Sequence, residues 1–366
     1  MSLVLNMIVR NEASILPQCL ESVAPYVDSW AILDTGSTDG TQQMIGDFFA
    51  ARGIPGRLDE APFIDFAQAR NAALALVPPT CDYLLLLDAD MELHVTEPDF
   101  RAALSLDCYT VRQVQSGLSY WNRRIVRRGV ATYVGVTHEY LDIGDASEAQ
   151  LAGLWIADHG TGSNRPEKFA RDLRLLRQAL AEEPHNARHR FYLAETLRYM
   201  GNAVEAVEHY AIRASMGGFA EEVWYATVQE ARCHLHLKRF DQFTNTALRA
   251  YDLRPTRAEP LYDLAKYYRE RNRPNTALLY ALRARSIPWP TTDILFVEAP
   301  VYNYGIREEI AICGFYSPAA DLYDLGHTLC CELATQTDVP DNVRLLAMAN
   351  LEFYRERARP RGEPRP

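Results

Sequence analysis

The sequence predicts an α/β domain followed by an all-α helical repeat domain, and three observations carry that expectation. Apolar runs of strand length alternate with helical stretches over the first part of the chain. One of those runs, Tyr83-Leu84-Leu85-Leu86-Leu87, stops on two carboxylates, Asp88 and Asp90. From Glu167 onward the pattern becomes continuous helix with short breaks, recurring with a period of about 34 to 37 residues. The boundary is expected near residue 165, giving domains at 1–165 and 166–357 and a flexible tail at 358–366.

The first element, Ser2 to Val9, is a β-rich run ending at Arg10-Asn11-Glu12, after which Ala13 to Val23 shows apolar residues at helical spacing. A second short strand, Trp30 to Leu33, runs into Asp34-Thr35-Gly36-Ser37-Thr38-Asp39-Gly40-Thr41. The two glycines of that loop supply turn conformations, and its hydroxyls and Asp39 can cap the helix Gln42 to Arg52. Strand, loop and helix in alternation imply a parallel sheet with right-handed crossovers. The loop is not G-x-G-x-x-G and the chain has no Walker A sequence, so neither nucleotide fingerprint is present. Phe66 to Leu74 is an alanine-rich helix carrying Arg70-Asn71, and it leads through Pro78-Pro79 to the acidic strand.

Five consecutive bulky apolar residues are too few for a membrane span and suit a strand buried on both faces of a sheet. In open α/β sheets ligands bind beyond the carboxyl ends of the strands, so Asp88 and Asp90 are expected at the rim of a crevice. Residues i and i+2 of an extended chain share a side, which offers two hard oxygens to one divalent cation. A solvated strand end is the plainer reading of the same pair.

The chain of 366 residues, 48% hydrophobic, has enough apolar material for two cores. With 38 Lys and Arg against 48 Asp and Glu, the net charge of -10 argues against general binding to nucleic acid or anionic membrane. Its only lysines are Lys168, Lys238 and Lys266, and the arginine bias gives slight weight to bidentate oxyanion recognition. Seven dispersed cysteines without C-x-x-C spacing read as buried thiols in a reducing compartment. Met1 leads straight into Leu3-Val4-Leu5 with no basic n-region, and no apolar stretch reaches membrane length; a cytoplasmic protein without signal or transmembrane segment is expected.

Four blocks in order, Arg10-Asn11-Glu12 after a strand, the Asp34 to Thr41 loop, Ala69-Arg70-Asn71-Ala72-Ala73, and Leu87-Asp88-Ala89-Asp90, resemble the nucleotide-sugar half of a family 2 glycosyltransferase of the GT-A fold. The resemblance is strong over residues 2 to 100 and looser over 101 to 170. It implies a Rossmann-like mixed sheet and a metal-dependent, inverting transfer of a sugar from a nucleotide sugar, with UDP-sugar as the favoured donor class. It implies that Asp34 and Asp39 bind uracil and ribose, that Arg70 lies near the base or the diphosphate, and that Asp88 approaches the ribose or the metal's water shell. Asp90 would ligate Mg²⁺ or Mn²⁺, the Lewis acid for the leaving diphosphate. Helix capping is the structural alternative for Asp39.

Many GT-A enzymes complete the metal site with a later histidine. His159, in Asp158-His159-Gly160-Thr161-Gly162, is the candidate, with a plain loop histidine as the alternative. Lys168 and Arg171 follow closely and could reach the phosphates; solvated residues in a helix's first turns are the alternative. The reaction needs a base within reach of the acceptor. Glu139, in Thr137-His138-Glu139-Tyr140-Leu141, is the first candidate and Asp158 the second; a salt bridge to one of the arginines from Arg123 to Arg128 is the structural alternative for Glu139. His138-Glu139 is not a zinc-protease motif, because position 142 is Asp.

In the second domain, Asn186 to Phe219, Glu222 to Pro255 and Ala258 to Pro290 each hold paired amphipathic segments with small residues at the helix crossings: Ala194 and Ala206, Ala231 and Ala247, Ala265 and Ala277. These units are similar to degenerate tetratricopeptide repeats, with a poorer fourth unit at Val301 to Thr335 and a capping helix at Asn342 to Arg355. A family 2 domain joined to helical repeats is similar to enzymes that glycosylate peptides, including the sublancin-type S-glycosyltransferases. The resemblance therefore implies a peptide, protein or glycan acceptor, met through the repeats. Two other classes compete. One is a catalytically inactive GT-A and repeat scaffold that binds a protein partner; separately, the plainer role for the repeats of an active enzyme is to cover the first domain or to pair two copies as a homodimer. The other, a sugar-phosphate nucleotidyltransferase, needs a glycine-rich basic loop where Arg10-Asn11-Glu12-Ala13 stands.

Overall fold

A computed structural model describes residues 1–115, 118–161, 168–293 and 295–358. The chain divides into two compact units, Met1–Pro184 and His185–Pro366. The boundary expected at residue 165 and the tail from 359 lie outside the described residues. Among those residues, no helix is long and apolar enough to cross a membrane.

The first unit runs β1 (Leu3–Val9), α1 (Leu16–Val23), β2 (Ser29–Asp34), α2 (Thr41–Ala50), β3 (Gly56–Glu60), α3 (Phe66–Ala75), β4 (Tyr83–Leu86) and β5 (Met91–Val95). It continues with β6 (Cys108–Gln115), β7 (Leu118–Arg127), β8 (Thr132–Val134), β9 (Tyr140–Asp142), β10 (Glu148–Asp158) and α4 (Lys168–Glu182). Eight strands form one sheet in the order β3-β2-β1-β4-β7-β6-β10-β5, and β8 and β9 make a separate two-stranded ribbon. β3, β2, β1 and β4 are mutually parallel, as the strand–loop–helix alternation requires. β7 is antiparallel to both β4 and β6, and β5 is antiparallel to β10. The mixed character has a simple cause: β6 and β7 follow each other with no helix between them, and such a short connection makes only an antiparallel pair.

The acidic strand lies beside β1 and is covered on both faces. Tyr83, Leu85 and Leu87 join Leu3, Leu5 and Met7 in one core with α1 and α2. Leu84 and Leu86 join Val4 and Val77 on the other face. Each of these side chains contributes about 1.5 to 3 kcal/mol by leaving water, so the register that delivers Asp88 to the strand end is strongly fixed. Asn6, buried in the middle of β1, donates its Nδ2 to Ala31 O at 3.0 Å and to Ala73 O at 2.7 Å, tying the end of α3 to the sheet. α1 starts at Leu16, three residues later than the sequence pattern suggested, because Pro17 takes a place in the first turn where its missing N–H costs nothing.

The second unit is all helix: α5 (Ala187–Tyr199), α6 (Ala203–Ser215), α7 (Ala220–His236), α8 (Phe240–Leu253), α9 (Glu259–Glu270), α10 (Pro274–Arg285), α11 (Ile306–Gly314), α12 (Ala320–Thr335) and α13 (Asp341–Ala358). These are the three expected pairs, the fourth pair and the closing helix of a tetratricopeptide-like array. Ala194, Ala206, Ala231, Ala247, Ala265 and Ala277 are all buried, as side chains at close helix crossings must be. The seven cysteines are free thiols; six are buried and Cys331 is half-buried.

Candidate active site

The crevice is built at the carboxyl ends of β1, β2 and β4. β2 ends on Asp34, which pairs in register with Val9 of β1 and Glu60 of β3. Asp34 is fully buried. Its Oδ1 accepts from Gly36 N at 2.8 Å, Ser37 N at 2.7 Å and Gln42 Nε2 at 3.3 Å. Its Oδ2 is buried and, among the described residues, meets no donor. An orphan carboxylate oxygen costs free energy unless a ligand N–H or O–H completes it.

The two loops beside it are stitched together by side chains. Asn11 N donates to Ser37 Oγ at 2.8 Å, and Thr38 N donates to Asn11 Oδ1 at 2.7 Å. Glu12 N donates to Thr41 Oγ1 at 2.9 Å. Asp39 closes the same seam: its Oδ2 accepts from Ala13 N at 3.0 Å, and its Oδ1 from Thr41 N at 3.1 Å and Thr41 Oγ1 at 2.6 Å. Burial works against its charge, but these donors outweigh it and hold the carboxyl below its usual range. Asp39 thus has a structural employment across the loop, and Asp34 has an unfilled one.

Beyond β4 an alternating chain of charges crosses the crevice floor. Arg70, on α3, donates Nε to Glu139 Oε1 and Nη2 to Asp88 Oδ1, each at 2.6 Å. Arg124, on β7, holds Nη1 3.5 Å from Asp88 Oδ2. Arg124 also donates Nη2 to Gln113 Oε1 at 2.9 Å, and Gln113 Nε2 donates to Asp158 Oδ2 at 2.7 Å. Asp158 Oδ1 accepts from Gly160 N at 2.9 Å. Burial pushes the Asp88 carboxyl up, but the Arg70 and Arg124 guanidiniums prevail and bring it to about 2. The same carboxylates hold the Arg70 guanidinium protonated against its burial. Tyr133, in the β8–β9 ribbon, faces Arg70 with its ring centroid 5.3 Å from the guanidinium carbon. Asn71 fixes that ribbon by exchanging two hydrogen bonds with the Tyr133 backbone, at 2.9 and 2.8 Å.

His159 is drawn to the acidic turn by its backbone: its N donates to Asp90 O at 3.0 Å. Its ring nitrogen Nε2 lies 3.2 Å from Glu92 Oε2, which also accepts from Gln18 Nε2 at 2.7 Å. Among the described residues, no group of three or more His, Cys, Asp or Glu side chains is arranged to hold a metal ion. Asp90 and His159 are neighbours in the fold, whereas Asp88 has its oxygens against two guanidiniums; a cation at this turn therefore needs ligand oxygens to complete its shell. Arg171, in the first turn of α4, pairs with the buried Asp172 at 3.0 Å and sits 4.6 Å from the Phe66 ring centroid at the start of α3. Lys168 begins α4.

The fold thus gathers Asp34, Asp39, Arg70, Asp88, Asp90, Glu139, Asp158 and His159, eight candidates read from the sequence. It adds three that were not: Gln113, Arg124 and Tyr133. The signal for Arg124 was faint, an arginine among β-branched residues. That it points inward from β7, buried, depends on the irregular register between β6 and β7 at Tyr109 and Thr110.

A mixed sheet with an aspartate loop and an acidic strand end at one side is the arrangement that the sequence resemblance leads one to expect of a GT-A domain. Residues 5–97, from β1 to just past β5, match the model of Glycosyl transferase family 2, so the N-terminal unit carries a family 2 glycosyltransferase domain. A TPR repeat-containing protein of Synechococcus elongatus is 45% identical over 87 residues, 24% of this chain and 20% of its own length. The chain therefore spans about a fifth of that curated relative. Among solved structures, MamA is similar at 16% identity over 54% of this chain and 98% of its own, with a TM-score of 0.36. Staphylococcus aureus TarS 1–349 is similar at 12% identity over 69% of this chain and 91% of its own, with a TM-score of 0.40. Likenesses of this degree leave the reading of the site to its own residues.

Proposed function

We propose that the whole chain is an inverting glycosyltransferase that moves a sugar from a nucleotide sugar of the UDP class to a peptide, protein or glycan acceptor. The observation that carries the reading is the orphan oxygen of Asp34 at the same end of the parallel strands as the Asp88–Asp90 turn, within a family 2 domain. A base imide N–H would satisfy Asp34 Oδ2, and the stitched Asn11, Ser37 and Asp39 loops would shape the nucleoside pocket.

Asp90 and His159 would hold Mg²⁺ or Mn²⁺ together with diphosphate oxygens, and the bound cation would supply Lewis acidity for the leaving group. Arg70 and Arg124 hold the Asp88 carboxylate in place beside the turn. In the transfer, the acceptor atom bonds to the anomeric carbon as the bond to the diphosphate breaks, and the acceptor proton passes to a carboxylate. Glu139 is the preferred base and Asp158 the second, each positioned by a partner, Arg70 or Gln113.

Acceptor-free hydrolysis of UDP-, GDP- and dTDP-sugars, with Mn²⁺ and with EDTA, tests the proposal. Slow turnover of UDP-sugars that stops in EDTA is expected. Full turnover in EDTA removes the cation. Donor binding with no turnover on any acceptor points instead to the inactive scaffold, a reading consistent with Glu139 and Asp158 both being held by side chains here.

A further inference from the structure

The β8–β9 ribbon carries a tyrosine to which the proposed transfer gives no task. Tyr133 is clamped by its backbone: Asn71 Nδ2 donates to Tyr133 O at 2.9 Å, and Tyr133 N donates to Asn71 Oδ1 at 2.8 Å. One side chain of α3 thus satisfies both main-chain polar groups of the residue, as a neighbouring strand would. Across the ribbon, Leu141 pairs with Tyr133 in register and is buried. The ring packs against the core that holds Val4, Leu84 and Leu86, and the Arg70 guanidinium carbon lies 5.3 Å from its centroid.

Packing accounts for the ring but not for its hydroxyl, since a phenylalanine would face Arg70 equally well. Among the described residues, none hydrogen-bonds the Tyr133 hydroxyl. Burial, the largest influence, pushes the phenol above its usual range; Arg70 and Arg124 work against that, and Asp88 and Glu139 add to it. The hydroxyl is therefore a neutral donor set among four charges that are already paired with one another. Arg70 spans the gap between Asp88 and Glu139 with a single guanidinium, each contact 2.6 Å long. The proposed transfer puts the leaving diphosphate by the Asp88–Asp90 turn and the attacking acceptor by Glu139. The sugar then lies between the two carboxylates, beside the guanidinium that the Tyr133 ring faces.

We propose that Tyr133 is a specificity residue for the donor: its hydroxyl donates a hydrogen bond to a hydroxyl of the sugar being transferred, and Asn71 holds it in place to do so. This role rests on the proposed transfer. A polar group that waits in a half-buried site gains its partner only when the sugar is present, so it discriminates a nucleotide sugar from the bare nucleotide. The phenol brings no charge, and the charged contacts that bind diphosphate depend little on it.

Calorimetric titration of the full chain with UDP, UDP-glucose, UDP-galactose and UDP-N-acetylglucosamine, in the presence of Mn²⁺, tests the role. Tyr133→Phe keeps the ring on Arg70, so its melting temperature should change little. It should weaken at least one of the UDP-sugars roughly three- to tenfold more than it weakens UDP, the scale of one hydrogen bond between neutral groups. Equal losses for UDP and for every UDP-sugar put the hydroxyl on the nucleotide and overturn the proposal, as do unchanged affinities throughout. If Tyr133→Phe does not fold, Asn71→Ala decides, because it keeps the phenol and frees the backbone that carries it. The same selective loss is expected there, and affinities equal to those of the wild type overturn the role. A wild-type chain that binds neither UDP nor any of the UDP-sugars overturns the donor reading itself, an outcome distinct from a failure confined to Tyr133.

Discussion

Arg70 Nη2 lies 2.6 Å from Asp88 Oδ1, and this contact couples the acidic turn after β4 to the helix that crosses behind it. The same guanidinium holds Glu139, so one residue positions two carboxylates.

That coupling gives a pH dependence with a definite sign. The Asp88 carboxyl is lowered from 3.8 to about 2, so its contribution is complete above pH 4 and is lost as pH falls towards 2. Its size is about 2 kcal/mol. Hydrogen exchange of the β4 amides should show protection falling across that window. In Arg70→Met the protection at pH 5 should already be lower, by about 3 kcal/mol, because two carboxylates lose a partly buried partner. Equal protection in the variant and the wild type at pH 5 would remove Arg70 from this role.

Asp34→Asn keeps an oxygen for Gly36 and Ser37 and replaces the other carboxylate oxygen by an amide donor. UDP affinity should fall by roughly ten- to a hundredfold, the scale of a charged hydrogen bond, with the melting temperature little changed. Calorimetric titration with UDP measures it, and an unchanged Kd would dissociate Asp34 from the nucleoside.

Glu139→Gln should leave UDP affinity within a few fold while slowing transfer by roughly 10² to 10⁴. Asp158→Asn is the control, since Gln113 holds Asp158 and Arg70 holds Glu139. Slow transfer in Asp158→Asn alone assigns the base to Asp158. Loss of UDP binding in Glu139→Gln shows that its pairing with Arg70 serves the donor site. An acceptor thiol would lessen either effect, because a thiolate is already partly present near neutral pH.

Gly56 begins β3 under the Trp30 ring, which stacks on Phe49 at 4.7 Å. A Cβ at position 56 would stand 2.2 Å from Trp30 Cδ2. Gly56→Ala should therefore destabilise the first unit by about 1 to 3 kcal/mol through overpacking, measurable as lost hydrogen-exchange protection in β2 and β3. Unchanged protection would mean that Trp30 moves aside freely.

The sequence by itself determined what short-range physics can fix. Strand and helix periods gave the α/β unit, the repeat pairs and their buried alanines, because side-chain burial enforces periods of two and 3.6. The double-sided burial of Tyr83 to Leu87 placed Asp88 and Asp90 at a strand end, since slipping the register by one residue would exchange two cores. Partners far apart in the chain were decided only by the tertiary structure. Arg70 meets Glu139 because α3 and the β8–β9 ribbon pack together, and Arg124 reaches Asp88 because β7 pairs beside β4. Leu295 shows the same division, since its amide bonds Glu221, 74 positions away, and no local pattern announces that partner.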